Sequence, residues 1–211
     1  HRVPATFIGH PLLDGPLPPP VAAFNGEDDV PPVVGLLPGS RVIAIARHVP
    51  LMLKTAAILK APFTRIKFLI SNAPSVRPEQ MGRLVRQGMP DIDLQIISAP
   101  VEEVFQACSM LIAASGTVTL QAAIHGLQMV IIYKVSPLSY WLGRALVRVT
   151  NIGLVNLIAQ HEIVPEFVQY DATANNIADA VTVRIAVRIV DQRIQVIDDL
   201  PGIRHPVVIV V

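Results

Sequence analysis

The sequence predicts an α/β fold, a doubly wound parallel sheet of Rossmann-like form, and three observations predict it. From Val33 onward short apolar runs alternate with longer stretches of helical character. The runs are apolar throughout, as in Met110-Leu111-Ile112-Ala113-Ala114, which suits strands covered on both faces rather than one. Turn formers stand where strands end, notably Pro38-Gly39-Ser40-Arg41 and Ser115-Gly116-Thr117. Right-handed crossovers between parallel strands follow from that order of elements.

The elements fall in order. Ala5 to Pro11 reads as a short strand and turn, and Pro16 to Pro20, Glu27-Asp28-Asp29 and Pro31-Pro32 read as connector, so residues 1–32 precede the compact unit. Val33–Leu37 is the first strand of that unit, followed by a helical segment from about Ile43 to Lys60. Pro50 either kinks that helix or starts its second part. Arg65–Ile70 is a second strand, Pro78–Arg86 a helix with Pro at its first position and Gly88 to end it, and Leu94–Ile97 a third strand. A short helix over Val101–Ala107 carries Glu102 and Glu103 in its first turn, where the helix dipole favours them.

Met110–Ala114 is the fourth strand, and the helix that opens after it is stopped by Gly126. Met129–Tyr133 is the fifth strand, and Leu138–Val149 a helix bearing Tyr140, Trp141, Arg144 and Arg148. Thr173 is an N-cap candidate for a last helical region, whereas Val181–Val196 is so rich in Val, Ile and Arg that helix and strand both fit. Residues 181–211 are therefore set apart as a tail of uncertain structure, ending in the β-prone Val207–Val211.

Composition excludes several classes. With 52% hydrophobic and 16% charged residues in 211, the chain has ample core for one large or two small domains. Lys+Arg number 17 against 16 Asp+Glu, a net +1 that gives no footprint for nucleic acid. The single Cys108 rules out a disulfide framework and reads as a buried small apolar residue in a reducing compartment. Apolar runs are broken by charges before reaching the roughly 18 residues of a membrane span. The opening His1-Arg2-Val3-Pro4 has no initiator Met, and the sequence reads as a fragment.

Chemistry concentrates at two turns. The helix after Ser115-Gly116-Thr117 presents unpaired backbone N–H groups and partial positive charge, with Ser or Thr able to cap it and Gly116 leaving the backbone open to an anion. An ordinary capped helix satisfies the same residues. If the first and fourth strands are neighbours, however, Pro38-Gly39-Ser40-Arg41 meets that turn at the topological switch point, and the Arg41 guanidinium with the helix end makes a diphosphate site. Arg41 as a solvated surface residue is the alternative. A P-loop, a G-x-G-x-x-G dinucleotide turn and a G-x-S-x-G elbow are all missing. His1, His10, His48, His125, His161 and His205 are dispersed and read as lone surface or loop histidines, so neither metal nor cofactor is expected.

Phe7-Ile8-Gly9-His10-Pro11-Leu12-Leu13-Asp14, Leu36-Leu37-Pro38-Gly39-Ser40-Arg41, Ala114-Ser115-Gly116-Thr117 and Tyr133 to Leu142 together resemble lipid-A-disaccharide synthase. So do Asn156-Leu157-Ile158-Ala159 and Glu162-Ile163-Val164-Pro165-Glu166, and the likeness runs in order from about Thr6 to about Ala180. The resemblance implies the C-terminal, donor-binding half of a GT-B glycosyltransferase, with residues 33–180 as the UDP-sugar domain. It implies UDP-2,3-diacylglucosamine as donor, 2,3-diacylglucosamine 1-phosphate as acceptor, inversion at the anomeric carbon, and a peripheral place at the cytoplasmic face of the inner membrane. The general base would come from an N-terminal domain, so no catalytic residue is assigned and the isolated chain is expected to be inactive.

By the same resemblance Gly39, Ser40, Arg41, Ser115, Gly116 and Thr117 would hold the donor diphosphate, and Asn156 lies in a loop used around the donor. Three positions to which the resemblance gives weight depart from the family. Gln121 stands for a ribose-binding Glu, Ala-Gly-Arg-Glu appears as Ala159-Gln160-His161-Glu162 with His161 in place of a functional Arg, and Ala44 replaces a Glu. A degenerate, non-catalytic nucleotide-sugar-binding or assembly module is the alternative. The Lys134, Trp141, Arg144 and Arg148 region fits either a membrane surface or a core-facing helix with solvated arginines, and a homodimer is open as a further partner.

Overall fold

A computed structural model describes residues 31–88, 92–146, 151–190, 196–197 and 207–208. The strand and connector expected within residues 1–30, the end of the Trp141 helix and its Arg148 lie outside the described residues. The elements are β1 (Val33–Leu37), α1 (Val42–Leu59), β2 (Lys67–Ser71), α2 (Pro78–Gly88), β3 (Leu94–Ile97), α3 (Val101–Ala107), β4 (Met110–Ala114) and α4 (Thr117–Ile124). Then follow β5 (Gln128–Tyr133), α5 (Pro137–Leu146), α6 (Leu154–Ala159), β6 (Glu166–Val168) and α7 (Ala174–Val190). A two-residue antiparallel ladder pairs β7 (Val196–Ile197) with β8 (Val207–Val208).

The main sheet has six parallel strands in the order β3-β2-β1-β4-β5-β6. The order runs outward from β1 in one direction and from β4 in the other, so the β1–β4 boundary is the switch point the sequence predicts. Strand residues alternate between two cores, as period-2 geometry requires. Val34, Leu36, Phe68, Ile70, Met110 and Ile112 pack with α1 and α7, while Leu37, Leu69, Leu111 and Ala113 pack with α3, α4 and α6. Every residue of β4 is buried.

Several boundaries shift for physical reasons. β2 begins at Lys67 rather than Arg65 because its ladder partner β1 begins at Val33, and the Lys67 N–H is held by the Pro32 carbonyl. α1 is one continuous helix with Pro50 inside it. Both Pro50 and Ala46, whose carbonyl loses its helical partner there, are exposed, so that carbonyl is open to solvent. By length and composition α1 could cross a membrane, with mean hydropathy 1.6 over 18 residues, contrary to the sequence expectation. Its Ile45, Val49, Met52, Leu53, Ala56 and Leu59 are instead buried against the sheet and neighbouring helices. Gly88 is the last residue of α2 rather than its stop, and a Cβ there would lie 2.4 Å from Leu53 Cδ1, so its bareness lets α2 approach α1.

α5 opens one residue earlier than expected, with Ser136 Oγ accepting from the Ser139 N–H and Pro137 at the first helical position. Thr173 caps α7 through Oγ1 and the Asn176 N–H at 3.2 Å. α7 then runs through position 181 with Val181 and Ile185 in the core, so the compact unit does not end at residue 180. The ambiguous Val181–Val196 segment is helix as far as Val190 and strand at Val196.

Cys108 is buried beneath Gly35, where a Cβ would sit 2.7 Å from its Sγ, and desolvation pushes its thiol up to about 12. It should be inert to a soluble disulfide reagent in the folded chain at neutral pH and react fully on unfolding; rapid labelling of native protein would contradict this burial.

Candidate functional site

Parallel strands deliver all their following helix N-termini to one end of the sheet, and at the switch point the helices after β1 and β4 leave on opposite faces. The loops between them part into an open cleft of about 1590 Å³. Its floor is where Gly39 meets Ala114: a Cβ on Gly39 would be 3.6 Å from the Ala114 Cβ. Gly39 has φ +98°, a conformation that a side chain disfavours and that turns the loop into α1.

Of the residues predicted from sequence, seven line this cleft together: Gly39, Ser40 and Arg41 from the β1–α1 loop, and Ser115, Gly116, Thr117 and Gln121 from the start of α4. Arg41 is exposed, and it is the N-cap residue of α1. Neither α1 nor α4 has a side-chain cap at its N-terminus. The expected Ser/Thr cap at α4 is not made: the N-cap position falls on Gly116, which has no side chain, and Ser115 Oγ donates instead to the Ile152 carbonyl at 3.0 Å. Two helix ends thus face the cleft without a carboxylate or hydroxyl of their own to satisfy them. Nothing lies within 4 Å of a Cβ built on Gly116, so its bare backbone is not required by packing and is open.

The loops are held by side-chain bonds to their backbone, one set of them made by a buried imidazole. Ser75 Oγ donates to the Ser40 carbonyl. His48, 2% exposed, bonds through Nδ1 to the Pro38 carbonyl at 2.9 Å and accepts the Lys134 N–H on Nε2 at 3.1 Å. Burial lowers its pKa, partly offset by the bond to the Pro38 carbonyl, with the positive Arg47 and Lys134 acting in the same direction as burial. Lys134 Nζ donates to the Ala172 carbonyl at 2.9 Å, so this lysine braces the end of β5 as well as lining the cleft. Among the described residues no three His, Cys, Asp or Glu side chains gather as a metal site.

A family model described as lipid-A-disaccharide synthetase matches residues 1–197. The chain belongs to the lipid-A-disaccharide synthase family. It is 41% identical over 181 residues to the lipid-A-disaccharide synthase of Geobacter sulfurreducens, covering 83% of this chain and 46% of that protein. With the synthase of Coxiella burnetii it shares 34% over 185 residues, covering 85% of this chain and 48% of the other. The chain therefore spans about half the length of these curated relatives. Among solved structures, the C-terminal domain of a group 1 family glycosyl transferase from Francisella tularensis superposes with a TM-score of 0.49 at 11% identity, covering 81% of this chain and 88% of that one.

Three residues singled out by likeness to the synthase family do not line the cleft. Asn156 sits in α6, not in a loop, and is wholly buried. Its Oδ1 accepts the Ile163 and Val164 N–H groups, and its Nδ2 donates to the Val164 carbonyl and to Glu166 Oε2. Glu166, which reads in the sequence only as part of a family motif, accepts the Ile152 and Gly153 N–H groups. A chain of bonds therefore runs from Asn156 through Glu166 to Ile152 and Ser115, and these two shape the cleft wall instead of touching its contents. His161 and Glu162 lie on the exposed turn after α6, His161 bonding the Ala159 carbonyl at 2.7 Å and Glu162 acting by charge on Arg184 of α7. Of the three departures from the family, Gln121 and Ala44 line the cleft and His161 does not.

His48 and His125 are buried, not surface histidines as the sequence suggests. Their isolation in sequence gave no sign of this, although His48 does occupy the apolar face of α1 with Ile45, Val49 and Met52. Burial lowers both pKa values, with Glu102 partly offsetting the effect at His125. The unfolded chain takes up protons near the ordinary value of 6.5 before the folded chain does. Stability should accordingly be complete above about pH 6.5 and fall as pH drops from there toward the lowered folded values. Denaturation midpoints across that range check the sign, and His48→Gln should flatten the dependence. Asn156→Ala should cost about 2–4 kcal/mol by denaturant melting, since it strands two backbone donors and part of a carboxylate.

Proposed function

We propose that this chain is the donor-nucleotide half of a lipid-A-disaccharide synthase, binding UDP-2,3-diacylglucosamine for transfer to 2,3-diacylglucosamine 1-phosphate with release of UDP. The observation that carries the reading is the convergence of Arg41 with two helix N-termini lacking side-chain caps at the β1–β4 switch point. A diphosphate fits that chemistry: the guanidinium offers a charged donor fork, and the helix ends offer oriented N–H groups. Charge grows on the leaving UDP as the glycosidic bond breaks. Fixed donors aimed at that oxygen stabilise the transition state more than the ground state. Gln121, one turn into α4, is within the same cleft and takes the ribose role as a neutral amide.

In this proposal the acceptor site and general base belong to the other half of a two-domain GT-B enzyme, so this span binds donor without turning it over. Its working place is the cytoplasmic face of the inner membrane. Leu138, Trp141 and Leu142 support that location, being 79%, 61% and 60% exposed at helical spacing on α5. Gln121, Ala44 and His161 favour a second reading, a non-catalytic relative that keeps the nucleotide cradle only.

Calorimetry with UDP tests the cradle. Saturable binding is expected, weakened roughly 10–100-fold in Arg41→Ala by loss of a charge-assisted contact, with stability within about 0.5 kcal/mol of wild type. No heat at millimolar UDP would remove the donor-site proposal. Supplying a family N-terminal half in trans separates the readings: disaccharide formed, and raised by Gln121→Glu with His161→Arg, marks an enzyme part. Zero product from every combination marks the non-catalytic relative.

A further inference from the structure

We propose that His48 is a positioning residue for the diphosphate cradle, its neutral imidazole clipping the β1–α1 loop to the end of β5 so that Arg41 and the α4 N-terminus hold one spacing. The proposal rests on the donor reading of this cleft and goes beyond it by naming a residue that touches no donor atom.

The geometry leaves one protonation state. The Pro38 carbonyl can only accept, so Nδ1 must carry a hydrogen. The Lys134 backbone nitrogen can only donate, so Nε2 must not. A second proton would set an Nε2–H donor against the Lys134 N–H and break that arm. The two partners are separated by the whole switch point: Pro38 begins the loop that carries Arg41, and Lys134 follows β5, the neighbour of β4 on the side away from β1. His48 therefore spans β4 and its outgoing turn, Ser115-Gly116-Thr117, from one flank to the other. No backbone bond links the Pro38 loop to Lys134 among the described residues, so the imidazole is their recorded polar tie. The remaining hold on the loop, Ser75 on the Ser40 carbonyl, comes from the β2 side and leaves the β5 side to His48.

An apolar isostere and an amide separate positioning from bulk. Leu fills the space without donor or acceptor, whereas Gln supplies both. Nitrogen NMR of the full-length labelled chain near neutral pH should show His48 protonated on Nδ1 only. In His48→Leu the Lys134 amide, which loses its acceptor, should exchange at least roughly tenfold faster while those of β1 and β4 are unchanged, and in His48→Gln it should stay protected. UDP affinity should fall roughly tenfold in His48→Leu and stay within about threefold of wild type in His48→Gln. An Nε2–H tautomer, unchanged Lys134 exchange in His48→Leu, or equal UDP affinity in both variants would each overturn the proposal. If His48→Leu does not fold, the tautomer and the Gln variant decide, and exposed Lys134 in the Gln variant counts against it. A wild-type chain that binds no UDP defeats the donor reading alone, because tautomer and exchange are read without ligand.

Discussion

The cleft end of this molecule depends on β1 and β4 being hydrogen-bonded neighbours while the helices that follow them leave on opposite faces of the sheet. Backbone pairing holds Leu37 beside Ala113, yet three residues later the two chains must part, because α1 belongs to one core and α4 to the other. Such divergence opens a crevice without any side chain having to create it. The same geometry aims two helix N-termini across that crevice, so partial positive charge is built in before any arginine is added.

What the side chains add is mostly restraint. Ser75, His48, Ser115, Asn156 and Glu166 direct most of their recorded hydrogen bonds to backbone groups of the surrounding loops. His48 and Asn156 are buried, where an unmet donor or acceptor is costly, so each of their bonds also penalises the loop for moving away. By contrast Arg41, Ser40 and Thr117 are exposed. Rigid loops below and free donors above are the division of labour expected of a preorganised anion site, which stabilises charge without first having to reorient.

The sheet was legible because burial on both faces writes itself as unbroken apolar runs, and β1, β3 and β4 fall on the residues predicted. The switch point followed from strand order alone. α6 and β6 were not legible: six and three residues are too short for periodicity, and Glu166 opens a strand whose role is to accept N–H groups from the preceding loop. Within the site, turn chemistry identified Gly39 and Gly116, whereas His48 and Asn156 gave no local signal. Their partners lie 86 positions away at Lys134 and across a loop at Val164, and a sequence read locally does not bring such pairs together.

The departures from the family can be weighed against this arrangement. In the resemblance Gln121 stands for a Glu of the same size, and it sits on a helix whose Thr119, Leu120, Ala122 and Ala123 are buried, so such an exchange leaves its placement intact. What changes is charge. A neutral amide accepting a hydroxyl is worth roughly 1 kcal/mol where a carboxylate is worth about 2, which converts to roughly fivefold in affinity. His161 lies on an exposed turn outside the cleft wall, and Ala44 removes a carboxylate from a cleft whose proposed guest is itself anionic, which lowers repulsion as well as losing a hydrogen-bond acceptor. In the donor reading these changes trim the hold on the sugar-nucleotide while the clamps under both loops, His48 and the Asn156–Glu166 chain, remain whole.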